Sequence, residues 1–153
     1  MPIDRETAVN LAFPPISMDI ERGRLVHFAR ATGATDPVYS DLDAAKNAGH
    51  RDVPVPPTFL FAIELEQPEP FWWAVDLGID FKYVLHGAQQ FDYHRLTYAG
   101  ERLTARAKIV DVFSKKGGAL EFVVKSSAIT DEAGQPVADL TSTIVVRNPG
   151  VGS

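Results

Sequence analysis

The sequence predicts an α+β domain in which one apolar helix lies on a curved antiparallel sheet. Three observations predict it. The first half reads as helices and loops punctuated by proline, and the second half alternates in the manner of strands. Between them, Thr58 to Leu65 is apolar on nearly every side, which argues for a buried helix rather than an amphipathic one.

In chain order, a short extended piece around Phe13 to Ile20 comes first. From Glu21 to about Thr32, Leu25, Phe28 and Ala29 fall at helical spacing, and Gly33 is placed to stop the helix. Asp41 to Ala48 reads as a second short helix, capped by Ser40 or Asp41 and ended by Gly49. Val53-Pro54-Val55-Pro56-Pro57 is extended, because each proline fixes its own backbone and biases its predecessor. The apolar helix starts at Thr58 and runs through Phe59, Leu60, Phe61, Ala62, Ile63 and Leu65. Pro68 and Pro70 end or kink it, and Phe71 to Val75 resumes for a turn or two. Trp72 and Trp73 read as core or subunit-contact residues.

Four strands follow. Val84 to His94 sets Leu85, Phe91 and Tyr93 on one face and His86, Gln90, Asp92 and His94 on the other. Arg102 to Phe113 places Leu103, Ala105, Ala107, Ile109 and Phe113 on a common face. Lys115-Lys116-Gly117-Gly118 turns into Leu120, Phe122 and Val124, and Asp131 to Gly134 turns into Val137 to Arg147.

At 153 residues the chain is read as one domain over 1–148 with a frayed tail at 149–153. The net charge of -5 gives no electrostatic case for nucleic acid or an anionic membrane. The chain has no cysteine, which removes disulfides, thiolate metal sites and a cysteine nucleophile together. The N-terminal residues lack a signal-peptide core, and no apolar run approaches the ~20 residues of a membrane span. A cytoplasmic, soluble protein is the expectation.

Three stretches carry a resemblance. They are Ala31-Thr32-Gly33-Ala34-Thr35-Asp36-Pro37-Val38-Tyr39, then Val55-Pro56-Pro57-Thr58-Phe59-Leu60, then Leu85-His86-Gly87 leading to Tyr93-His94-Arg95 and Ala99-Gly100. In this order the chain resembles the MaoC-like dehydratases, in the branch that forms the N-terminal half of double-hotdog hydratases. The resemblance implies a hotdog fold, with a curved antiparallel sheet wrapped around the helix from Thr58. It also implies an enoyl-thioester hydratase or 3-hydroxyacyl-thioester dehydratase component, acting on acyl thioesters of coenzyme A or acyl carrier protein. No cofactor beyond that carrier is expected.

The chemistry requires a group to deprotonate water, a proton source for the α-carbon, and hydrogen bonds to an enolate-like oxygen. Active members carry Gly-Asp-x-Asn-Pro-(Leu/Ile/Val)-His. Anchored on Pro37, this chain has Ala34 at the Asp position and Tyr39 at the His position, with Asp36 at the Asn position. The resemblance therefore implies a chain without its own dyad, working as a homodimer or as a heterodimer with a catalytic MaoC-like hotdog. No catalytic residue is assigned. The candidate substrate-binding residues are Asp36, Tyr39, Pro57, Thr58, Phe59, His86 and Gly87. The backbone N–H groups of Thr58 and Phe59 are the candidates for the oxyanion role.

Plainer readings stand beside these. Asp36-Pro37 is also a turn signal, Tyr39 a half-buried aromatic, and His86 a strand histidine beside a glycine that permits close backbone approach. Lys115 and Lys116 suit a hairpin tip better than a coenzyme A phosphate. His86 and His94 share a face in this reading but lie roughly 26 Å apart along one strand, so they cannot share a metal, and no metal site is expected. Two other functions compete: a thioesterase using Glu64 or Glu66, and an acyl-thioester-binding module with no chemistry.

Overall fold

The computed structural model describes residues 2–151. Asp4 accepts the Thr7 N–H and caps α1 (Arg5–Val9), a helix that sequence reasoning missed. β1 (Ile16–Asp19) lies in the piece expected to be extended, and α2 (Arg22–Ala31) and α3 (Leu42–Asn47) occupy the two expected helices. Asp41 caps α3 by accepting the Ala44 N–H at 2.8 Å. α4 (Trp72–Asp76) is the short resumption after the prolines. The long strands are β2 (Val84–Tyr93), β3 (Arg102–Lys115), β4 (Leu120–Thr130) and β5 (Pro136–Arg147).

All five strands form one curled antiparallel sheet in the order β1-β3-β4-β5-β2, leaving the ten-residue β2 as an edge. This is the hotdog fold, with one correction. The central segment is a 3-10 helix, Phe59–Leu65, rather than an α-helix. Pro56 and Pro57 ahead of it and Pro68 behind it leave little chain for an α-helical ladder. Its threefold period aligns Leu60 with Ile63 on one ridge and Phe61 with Glu64 on the next.

Two apolar clusters fill the concave side. One gathers Met18, Ile20, Leu25, Leu60, Ile63, Leu103, Ile129 and Leu140 at one end of the sheet. The other gathers Ala8, Trp73, Ala74, Ile79, Ile109, Val112, Val123 and Val146 at the opposite end. Trp73 is 4% exposed, so the core reading of the tryptophan pair is the one observed for it. At the C-terminus the Asn148 side chain holds Gly118 O and Glu121, and the Val151 N–H donates to Asn148 O. Residues 152 and 153 of the expected tail lie outside the described residues.

Two bulges overturn the face assignments read from simple alternation. His86 pairs with Ile144 while Ala88 pairs with Thr143, so Gly87 is an extra residue in β2. Parity flips there: Val84 and His86 share the concave face with Gln89, Phe91 and Tyr93, and Leu85 points away and is 56% exposed. His94 is on the opposite face, bonding Asp139 at 2.8 Å, so the two histidines do not share a face. In β3 the extra residue is Val110, between Ile109 and Asp111. Beyond it Val112 is buried and Phe113 faces outward, stacked on Phe122 at 4.8 Å.

Candidate functional site

The motif from Gly33 to Tyr39 folds as a helix stop followed by a capped turn. Gly33 has φ of 72°, and the Ala34 N–H donates back to Ala29 O. Asp36 is exposed and caps the 3-10 turn Pro37–Tyr39 by accepting the Val38 N–H at 3.1 Å, which is the turn role of that residue type. The turn delivers Tyr39, half-buried, to a cleft of about 340 Å³ that it shares with Val55, Pro57, Leu60 and the segment Tyr93 to Thr97.

Thr58 sits beside this cleft in a left-handed conformation, with φ of 72°. Its N–H is donated to the Tyr93 hydroxyl at 2.9 Å, and the Phe59 N–H to Pro56 O at 3.2 Å. Both candidate oxyanion donors therefore already have partners inside the chain. Phe59 itself is core, edge-on to Phe28 with ring centres 5.3 Å apart.

His86 and Gly87 belong elsewhere. His86 lines a second, aromatic pocket of about 290 Å³ with Phe61, Leu65, Phe71, Trp73 and Phe81. Its ring meets Phe61 edge-on at 5.4 Å. The 3-10 helix contributes Leu60 to the first cleft and Phe61 and Leu65 to this pocket. The structure thus brings Tyr39 and Pro57 together and keeps His86 apart from them.

A polar row that sequence reasoning missed crosses the concave face between the apolar clusters. Lys125, Ser142 and Gln89 are cross-strand neighbours on β4, β5 and β2. The Lys125 ammonium pairs with Glu64 of the 3-10 helix, and the Ser127 hydroxyl donates to Glu64 Oε1 at 2.6 Å. Ser142 donates to Gln89 Oε1 at 2.6 Å. Glu64 is 4% exposed and the Lys125 side chain 11%. The signal was present in Lys125-Ser126-Ser127, which interrupts the apolar alternation of β4, and in Glu64, the lone charge within Phe59–Leu65.

Arg95, on the rim of the first cleft, is tied down by Glu101 at 2.9 Å and Asp131 at 2.9 Å. The bond to Glu101 raises the Arg95 pKa further. Burial pushes the Glu101 carboxyl up, but the Arg95 bond and the Arg95 and Arg51 charges carry it below its usual range. Asp131 is lowered by the Gln135 N–H and then by Arg95. This guanidinium is a structural tie rather than a free anion site. Among the described residues, no three His, Asp or Glu side chains converge on a point where a metal could sit, and no helix is long and apolar enough to cross a membrane.

A curled sheet around a short central helix, with a Gly-x-x-Asp-Pro turn at a cleft mouth, defines a hotdog domain of the MaoC-like dehydratase kind. The chain belongs to the family described as "FAS1-like, dehydratase domain region", whose model matches residues 8–140. A protein of Clavibacter michiganensis subsp. michiganensis, described only as "UPF0336 protein", is 40% identical over 128 residues, covering 84% of this chain and 85% of that one. Among solved structures, the C-terminally truncated HadBC (3R-hydroxyacyl-ACP dehydratase) complex of Mycobacterium tuberculosis is similar with a TM-score of 0.71 and 25% identity. That match covers 87% of this chain and 92% of the other. A MaoC-like dehydratase of Phytophthora capsici shares the fold, with a TM-score of 0.80 at 18% identity, over 96% of this chain and 51% of that one.

Proposed function

We propose that this chain is the dyad-lacking component of a hotdog enoyl-thioester hydratase/3-hydroxyacyl-thioester dehydratase, and that a partner hotdog supplies the Asp and His. The observation that carries the reading is the pair Ala34 and Tyr39 at the two dyad positions, with Tyr39 on the wall of the cleft. Ala34 has no proton to exchange, and a phenol hydroxyl is no substitute for the imidazole that this chemistry uses as its base.

In this reading the partner's base takes a proton from water as its oxygen attacks the β-carbon of the enoyl thioester. The α-carbon is then protonated on the same face, giving a 3-hydroxyacyl thioester. This chain contributes walls: Tyr39, Pro57 and Leu60 at the mouth, and the aromatic pocket for acyl carbon. The HadBC complex is a similar two-component assembly by its own description. The open edge of β2 suits a partner hotdog as well, since a long strand with one unpaired edge is a template for further pairing.

The thioesterase reading fits less well. Glu64 is buried and engaged by Lys125 and Ser127, and Glu66 is paired with Arg24 at 2.8 Å. Neither carboxylate lines the cleft or the aromatic pocket.

The test is hydration of short and long enoyl coenzyme A thioesters by the chain alone and with a co-expressed MaoC-like hotdog carrying Asp-x-Asn-Pro-x-His. Activity is expected only with the partner, and it should disappear when the partner's His is replaced. Free thiol release would favour the thioesterase, and binding without turnover in both arms the binding module. Hydration by the chain alone, unchanged by Ala at Asp36, Tyr39 and His86, would sink the reading.

A further inference from the structure

We propose that the aromatic pocket binds an acyl chain bearing a hydroxyl group along its length, and that this hydroxyl donates a hydrogen bond to His86 Nδ1. The proposal rests on the acyl-ligand part of the preceding reading and adds the chemistry of the ligand.

The tautomer of His86 follows from its neighbours. Gln89 Oε1 is an acceptor only; it receives the Ser142 hydroxyl at 2.6 Å and lies 3.1 Å from His86 Nε2. His86 Nε2 must then carry the hydrogen. His86 is exposed, and in the neutral ring Nδ1 is left as an acceptor with no protein donor among the described residues, so water is what a ligand hydroxyl would replace there. Ser142 is 1% exposed, so the arrangement is anchored from inside the sheet. The bulge at Gly87 is what turns this ring onto the concave face.

The rest of the pocket is apolar: Phe61, Leu65, Phe71, Phe81 and Ile144 line it, and no carboxylate does. An exposed acceptor beside apolar walls favours a ligand that is apolar with one donor, because an all-carbon chain would displace water from His86 and leave the acceptor unpaired. A cation would find no counter-charge.

Calorimetric titration of the chain with stearoyl coenzyme A and with a stearoyl coenzyme A hydroxylated well beyond C3 tests this. The hydroxylated ligand is expected to bind roughly three- to tenfold tighter, the size of one net hydrogen bond. His86→Phe keeps a ring against Phe61 and removes the acceptor, so both ligands should bind it equally. Imidazole nitrogen spectra should keep Nδ1 of His86 hydrogen-bonded on binding the hydroxylated ligand and show it losing its bond on binding the plain one. The free acids, which lack the carrier, should show the same preference. Equal affinities in the native chain, no binding of either ligand, a preference that survives His86→Phe, or a preference confined to the thioesters would each overturn the proposal. No arm needs turnover or a partner, so failure of the hydratase reading would appear separately.

Discussion

A Cβ added to Gly87 would lie 2.7 Å from Val145 Cγ2 and 3.2 Å from Thr143 O. The Thr143 contact is backbone and cannot rotate away, so the bulge accepts only glycine without a shift of β5 against β2. Gly87→Ala is therefore expected to cost about 1–3 kcal/mol, the usual range for overpacking, measured by chemical denaturation. It should also loosen ligand contacts at His86, because that side chain's direction is set by the same bulge. An unchanged denaturation midpoint would mean that the strand absorbs a methyl group that this geometry has no room for. The contrast with Gly33 is instructive. Nothing lies within 4 Å of a Cβ there, and glycine is required only by the positive φ that ends α2.

At the scale of elements, Arg95 joins three pieces of chain that meet beyond the end of β2. It holds Glu101, just before β3, and Asp131, in the turn between β4 and β5. Both carboxyls are lowered in the folded chain from their ordinary values of 4.5 for Glu101 and 3.8 for Asp131. A group lowered on folding binds its proton more readily when unfolded, so its contribution is present above the ordinary value and lost as pH falls through the folded one. The thermal midpoint is expected to drop on acidification below those ordinary values. Arg95→Met should flatten that part of the profile while lowering the midpoint at neutral pH. A variant with the native pH profile would show that the tie does not couple to folding. The same scale shows what could be read in advance. The long-strand positions, the Asp41 cap and the turn at Asp36 were legible because each follows from local chemistry. Which face each residue takes beyond Gly87 and Val110 was not, because one inserted residue reverses parity without disturbing the alternation on either side. Tyr39 and Pro57 were legible as neighbours only through a family resemblance, whereas the Lys125–Ser142–Gln89 row needed the register of three strands.

Across the whole molecule, the two apolar clusters are separated by that row and by the one carboxylate of Phe59–Leu65 that reaches it. Glu64 and Lys125 sit where water is scarce, and each is tolerable mainly because of the other. Removing one partner leaves an uncompensated buried charge, which typically costs about 3–5 kcal/mol. Glu64→Leu and Lys125→Met are each expected to fall in that range. The double variant removes both charges and leaves apolar groups of similar volume, orphaning only the Ser127 hydroxyl, at about 1 kcal/mol. It should therefore be far less destabilised than the sum of the singles, by roughly 5 kcal/mol or more in a double-mutant cycle. Strict additivity would show that the two charges do not stabilise each other in the folded chain. The cycle also bears on the pocket, because the Lys125 ammonium lies 5.8 Å from the Trp73 ring centre and Phe61 shares the Glu64 ridge of the helix. If the pair positions those two aromatic walls, the double variant will recover stability while its preference between hydroxylated and plain acyl chains narrows.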